Sequence, residues 1–173
     1  MIRVRITGLQ EANATILAAV RNGVDSALAV AAARGQSIVQ GNITSPFLGR
    51  PPAVSTGALA NSISFSVSRE AGISRAVVFS QPPAGDYAAY VESGTGPHFP
   101  PPSALLLWVK RKFHIEDEKQ ALSIAFAIAR TIARRGVSGF GMFARAFQAL
   151  QAELPGIFQR EIGKSLEAAG AGK

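Results

Sequence analysis

Ser62-Ile63-Ser64-Phe65-Ser66-Val67-Ser68-Arg69-Glu70-Ala71-Gly72-Ile73-Ser74-Arg75-Ala76-Val77-Val78-Phe79-Ser80 decides the fold class. In its first half Ile63, Phe65 and Val67 alternate with serines, which puts the apolar residues on one face of a period-two strand. Arg75 to Ser80, with Ala76, Val77, Val78 and Phe79, reads as a second strand, and Glu70-Ala71-Gly72 supplies the turn between them. The segments on either side have helical periodicity. A hairpin set between helices predicts an α+β fold: a long N-terminal helix, a small antiparallel sheet and a C-terminal helix.

Upstream, Leu9 to about Gln40 reads as helix, with Ile16, Val20, Val24, Leu28 and Ala31 forming one apolar stripe. Gly23 and Gly35 weaken that helix by about 1 kcal/mol each against alanine, and a small residue in such a stripe often marks a close helix–helix approach. Ile2-Arg3-Val4-Arg5-Ile6 alternates like a strand and is expected to join the sheet, while Asn42 to Val54 is expected to be loop.

Downstream, Tyr87 to Glu92 reads as one helical turn, and Ser103 to Lys112 as a helix with Ser103 as N-cap. Glu116 to Arg135 is a further helix, acidic at its start and basic at its end, as the macrodipole prefers. Its residues Leu122, Phe126, Ala129 and Ile132 make one apolar face and Ile124 and Ile128 another. A helix apolar on two sides is buried on two sides, inside one core or against a second subunit. Val137 to Gly141 reads as loop. Phe143, Phe147, Leu150, Phe158, Ile162 and Leu166 then continue a last apolar stripe, in which Pro155 either kinks the helix or starts a second one.

At 173 residues the chain fits a single domain, 1–173, with a core of its own. Cysteine is absent, which rules out disulfides and thiolate chemistry and suits a reducing compartment. Mean hydropathy is +0.19. No apolar core follows Met1-Ile2-Arg3-Val4-Arg5, so no secretory signal is expected. The low-charge runs Ser26–Ala33 and Ala121–Ala129 are shorter than the roughly 20 residues a bilayer requires, and no membrane partner is expected. Net charge is +7, and Lys110 to Arg135 holds seven basic against three acidic residues. Such a segment is a solvated helix face or a contact with polyanions and acidic partners.

The stretch Tyr87-Ala88-Ala89-Tyr90-Val91-Glu92-Ser93-Gly94-Thr95-Gly96-Pro97-His98-Phe99-Pro100-Pro101-Pro102 carries most of the functional information. Its glycines open backbone angles closed to other residues and its prolines stiffen the chain beyond them, so it reads as a rigid, shaped loop. Glu92 is expected to accept backbone amides or pair with an arginine, pinning that loop. Tyr87, Tyr90 and Phe99 are candidate contact rings, with Tyr90 the first expected in the core; Trp108, in Leu105-Leu106-Leu107-Trp108-Val109, is likewise expected in the core.

Neither His98 nor His114 has metal-ligand spacing, and Glu116-Asp117-Glu118 is the acidic first turn of a helix. Gly94-Thr95-Gly96 lacks the third glycine and the Lys-Ser/Thr pair of a phosphate loop, and Pro97 removes an amide there. No acid, base and oxyanion hole assemble, so neither enzyme activity nor a cofactor or metal is expected.

Four segments, in order, resemble one known group. Ser55-Thr56-Gly57-Ala58-Leu59-Ala60-Asn61-Ser62-Ile63 is similar to its entry into a strand, and Tyr87-Ala88-Ala89-Tyr90-Val91-Glu92-Ser93-Gly94-Thr95 to its tyrosine–glutamate–glycine signature. Leu107-Trp108-Val109-Lys110-Arg111-Lys112 resembles a helical insertion, here at about 103–136, and Phe140 to Leu150 resembles the entry to its terminal helix. The group is the tailed-bacteriophage head–tail joining and tail-completion family, whose members include minor tail protein Z. Ser93 stands where an aromatic residue is common in that family.

The resemblance implies a structural protein of the virion neck or tail end, assembled in the host bacterial cytoplasm. By family analogy it forms a homo-oligomeric ring, a hexamer, beside neighbouring neck or tail proteins and in passing contact with phage DNA. The surface expected to meet those partners comprises Glu92, Thr95, Gly96, Pro97, His98 and Phe99 of the loop, with Lys110, Arg111, Arg134 and Arg135 of the basic segment. The rival expectation is a nucleic-acid-binding protein that uses the basic 110–135 segment, with Trp108 and Phe113 as stacking groups.

Overall fold

The computed structural model describes residues 9–46 and 57–170. The strand expected over Ile2–Ile6, most of the loop expected to end at Val54, and Ser55 and Thr56 of the first family-like segment lie outside the described residues. The elements are α1 (Leu9–Thr44), α2 (Ala58–Ser62), β1 (Ile63–Glu70), β2 (Ile73–Ser80), α3 (Gly85–Ser93), β3 (Gly94–Thr95), α4 (Pro102–Phe113), α5 (Glu118–Arg135), β4 (Val137–Ser138) and α6 (Met142–Ala168). The fold is α+β: a long N-terminal helix, a two-stranded antiparallel hairpin and a C-terminal helix, with a second, two-residue ladder between β3 and β4. Among the described residues the chain divides into two compact units, one of 9–37, 65–78 and 147–170, the other of 38–46, 57–64 and 79–146. α1, β1, β2 and α6 each contribute to both.

The first unit is built on small residues. Ala19, Gly23, Ala27, Ala31 and Gly35, spaced four apart along α1, are all buried, whereas Ile16 of the expected stripe is exposed and Val20, Val24 and Leu28 are half-buried. The deepest row is the one with the smallest side chains, because there the partner backbone comes closest. A Cβ on Gly23 would lie 2.6 Å from Ile162 Cα, and one on Gly35 would sit 3.3 Å from Val78. Ala27 and Ala31 pack on Ile157, with Leu150, Leu154 and Phe158 closing the cluster. That packing carries α6 through Pro155 as one helix despite the lost backbone bond. Phe147, placed in the stripe by its spacing, is exposed.

Polar contacts flank this seam. Arg34 holds Glu153 through two parallel bonds of 2.9 and 3.0 Å, and Asp25 accepts from Ser74 Oγ (2.6 Å) and pairs with Arg69 (2.8 Å). Glu161, the buried carboxylate of the described residues, accepts from Ser26 Oγ at 3.1 Å and Lys164 Nζ at 2.9 Å. The stretch Ala12–Thr44 is long and apolar enough, by length and composition alone, to cross a membrane, contrary to the expectation drawn from its shorter uncharged runs. A mostly buried core helix meets the same criterion; in this one 28% of the apolar window is buried, and Gly23, Ala27 and Ala31 pack on α6.

The hairpin turns through Ala71 and Gly72, both at positive φ (49° and 81°), the twist that two-residue hairpin loops require. Its expected half-buried face is only partly realised: Ile63 is buried, but Phe65 and Val67 are exposed, and Ile73 is 70% exposed. In the second unit α1 continues past Gln40 to Thr44, because Val39 and Ile43 are buried and Asn42 Nδ2 donates to Met142 O at 2.9 Å.

Two glycines of α1 should respond oppositely to the same substitution. Gly23→Ala should destabilise by about 1–3 kcal/mol despite the gain in helix propensity, since the backbone of α6 must move. Gly41→Ala, with nothing within 4 Å of the added methyl, should stabilise by up to about 1 kcal/mol. Urea midpoints of the two variants check the opposite signs. The hydrogen bond from Lys164 chiefly holds Glu161 below its ordinary value of 4.5, as that from Arg34 does Glu153. Stability from both carboxylates is therefore complete above the unfolded value and is lost as pH falls through the lower folded values. The melting temperature lost in Glu161→Gln at about pH 7 should shrink as pH falls through the acidic range below the ordinary carboxylate value; a deficit that does not change with pH would assign it to packing.

Candidate functional site

The second unit carries the family-like loop. α3 buries Ala88 and ends at Ser93, whose Oγ donates to Ala89 O at 2.8 Å. Gly94 follows at φ +80°, and a Cβ there would run into Val137 O, so no other residue fits. Gly136 (φ +67°) and Gly139 are excluded in the same way, by Thr95 O and Glu92 O. These glycines let two backbones meet as β3 and β4, with Gly94 opposite Ser138 and Thr95 opposite Val137. Gly96, by contrast, has open space about it and no positive φ, so it is not required by geometry. Thr95 Oγ1 is buried without a hydrogen-bond partner.

Glu92 completes the staple. Its carbonyl accepts from Gly141 N at 3.0 Å and that of Val91 from Phe140 N at 2.7 Å. Its carboxylate accepts from Phe143 N (2.8 Å) and Ala144 N (3.0 Å), two free amides of the first turn of α6. Gly141, which precedes that helix, has no side chain to cap it, and Glu92 does so from α3 with a full charge at the positive end of the dipole. Arg145 ties the same corner to the end of α1, donating through Nε to Phe140 O (3.1 Å) and through Nη2 to Asn42 O (3.1 Å). Desolvation lowers the pKa of its guanidinium, and the charge of Glu92 opposes that shift. Of the two partners expected for Glu92, backbone amides or an arginine, the amides are the ones it accepts from.

Beyond the staple the loop projects. Gly96, Pro97, His98 and Phe99 are exposed, with Phe99 at 52%, and His98 Nδ1 donates to Gly96 O at 2.9 Å. Tyr90, expected first in the core, is 61% exposed, because α3 packs through Ala88. Pro101, not Ser103, precedes α4, and Pro102 takes its first position, where the missing N–H costs nothing.

α4 and α5 form a helical hairpin around Val109, Ala121 and Ala125, with Leu105, Leu106, Ile115, Ile124 and Ile128 packed against them. Asp117 caps α5 by accepting from Gln120 N at 2.6 Å, so the acidic turn is structural. The expected face is corrected: Ala121, Ala125 and Ala129 are buried, while Leu122 and Phe126 face solvent. Trp108 is likewise not core. It is 39% exposed, stands edge-to-face with Phe113 at 6.0 Å, and helps line an open apolar groove of about 470 Å³ with Leu105, Ile128, Ile132, Gly136, Val137 and Ser138.

Of the residues singled out, the fold brings Thr95 against Val137, two positions after Arg135, so the loop and the basic end of α5 share one neighbourhood. Lys110 stands apart, 3.8 Å from Glu118 at the other end of α5, and Arg111 is exposed beside it on α4. Among the described residues no group of three His, Asp or Glu could hold a metal ion. The β3–β4 ladder was not expected; the glycines on both segments were its only trace in the sequence. Comparison with family models, with curated proteins and with solved structures gives no match to this chain.

Glu92→Ala strips the first turn of α6 of its acceptor and should cost about 1–2 kcal/mol. Glu92→Gln keeps an acceptor oxygen and should lose less. Chemical denaturation of both variants tests this, and equal losses would show that the charge contributes nothing.

Proposed function

We propose that this protein is a structural component of a tailed-phage virion, one that assembles as a ring at the neck or tail end and completes the joint between tail and head. The observation that carries the reading is the loop itself. Glu92, Gly94 and the β3–β4 ladder hold its base, while His98 and Phe99 project into solvent. A rigid loop presenting an aromatic group loses little entropy on docking, which is the property an assembly contact needs. The polar groups of the loop support a structural role over a catalytic one, since the Glu92 carboxylate is occupied by two amides and His98 by a carbonyl of its own turn. The ring is a hexamer by family analogy, its other partners are neighbouring neck or tail proteins, and neither a cofactor nor a membrane enters this reading.

A second reading has an observation of its own. Trp108 and Phe113 are exposed, and Arg111 and Lys112 lie on the same helix, an arrangement that suits stacking and phosphate contact. Nucleic-acid binding through the 110–135 segment is therefore the alternative function.

His98→Ala with Phe99→Ala should leave the melting temperature nearly unchanged, while a phage carrying both changes accumulates heads and tails that do not join. Negative-stain images of the purified protein and of antibody-labelled virions test the location. Labelling away from the neck and tail end overturns the first reading, and salt-dependent retention of DNA by the free protein favours the second.

A further inference from the structure

On α5 the residues Glu118, Leu122, Phe126 and Arg130 stand four apart and form one row along the helix. All four are exposed: Glu118 has 74% of its side chain accessible, Leu122 is 36% exposed and Phe126 44%. The helix is already anchored through the neighbouring row, Ala121, Ala125 and Ala129, each fully buried. The row of Glu118 therefore reads negative, apolar, apolar, positive, on an element held rigid from behind.

That order is self-complementary under a two-fold rotation. We infer that two copies of this chain pair through α5, antiparallel, about an axis passing between Leu122 and Phe126. In that register Glu118 meets Arg130 of the partner subunit and Leu122 meets Phe126 of the partner subunit, and each contact occurs twice. A parallel pairing would set Glu118 against Glu118 and Arg130 against Arg130, so electrostatics selects the antiparallel one. Rows of residues four apart are also the ridges that interdigitate most often when helices cross. Among the described residues Glu118 has only the 3.8 Å approach of Lys110, an exposed and weak pair, and Arg130 has no ion pair. A two-fold contact cannot close a ring, so this surface is distinct from the ring contact proposed above and does not depend on it.

One helix pair is a small interface, and the expected affinity is in the micromolar range, with Kd on the order of 10 µM. Sedimentation equilibrium of the full chain, from about 1 to 100 µM, should show a reversible monomer–dimer equilibrium. Phe126→Glu should weaken it by about tenfold or more, with an unchanged circular dichroism spectrum because the site is exposed. Glu118→Arg and Arg130→Glu should each weaken the dimer several-fold, and the double reversal should restore it. A protein that stays monomeric throughout the range overturns the proposal, as does a double reversal no better than the singles. So does a ring that is lost in Phe126→Glu, which would assign the row to the ring contact and leave the ring reading standing. A monomer whose binding to a DNA duplex is lost in Arg130→Glu would reassign the row to nucleic acid.

Discussion

The carboxylate of Glu92 on the first turn of α6 is the interaction on which the second unit turns. A helix beginning at a glycine leaves its first amides without side-chain partners, and in a half-buried corner that costs free energy for each one left unpaired. Glu92 meets two of them with a charged acceptor and thereby fixes the end of α3 to the start of α6. The carbonyls of Val91 and Glu92, the glycine-lined ladder of β3 and β4, and Arg145 reaching to Asn42 all converge on the same corner. The base of the projecting loop is held by this crossing of elements and not by its prolines alone.

The first unit solves a different problem. The buried row that α1 contributes to it is alanine and glycine, so burial there has to come from close approach. Glycine and alanine at intervals of four lower the intrinsic stability of α1 at Gly23 and Gly35 yet bring α6 near enough for dispersion contacts along the whole seam. The ion pairs beside it, Arg34 with Glu153 and Asp25 with Arg69, are exposed and add orientation more than energy.

α5 shows why both faces of a helix matter to function. Alanines take its inner face, so the α4–α5 hairpin closes tightly, and the bulkier Leu122 and Phe126 are turned outward. Together with Tyr90, Phe99 and Trp108 they give the second unit more exposed apolar surface than its own folding uses.

The α+β class, the hairpin, the long first helix and the helical hairpin were all legible in the sequence, because period and turn chemistry are local properties. Glu92 could be marked as a pin from its place between an apolar turn and a glycine. Its partners could not, since Phe143 and Ala144 are about fifty residues away and offer only backbone amides, which every residue has. The positions of Trp108, Tyr90 and Phe126 were misjudged for one reason: apolar character says that a side chain prefers burial, while the choice of which row is buried belongs to the fit between neighbouring elements. In α1 and α5 that fit selected the smallest residues, and only tertiary structure brings such a preference into view.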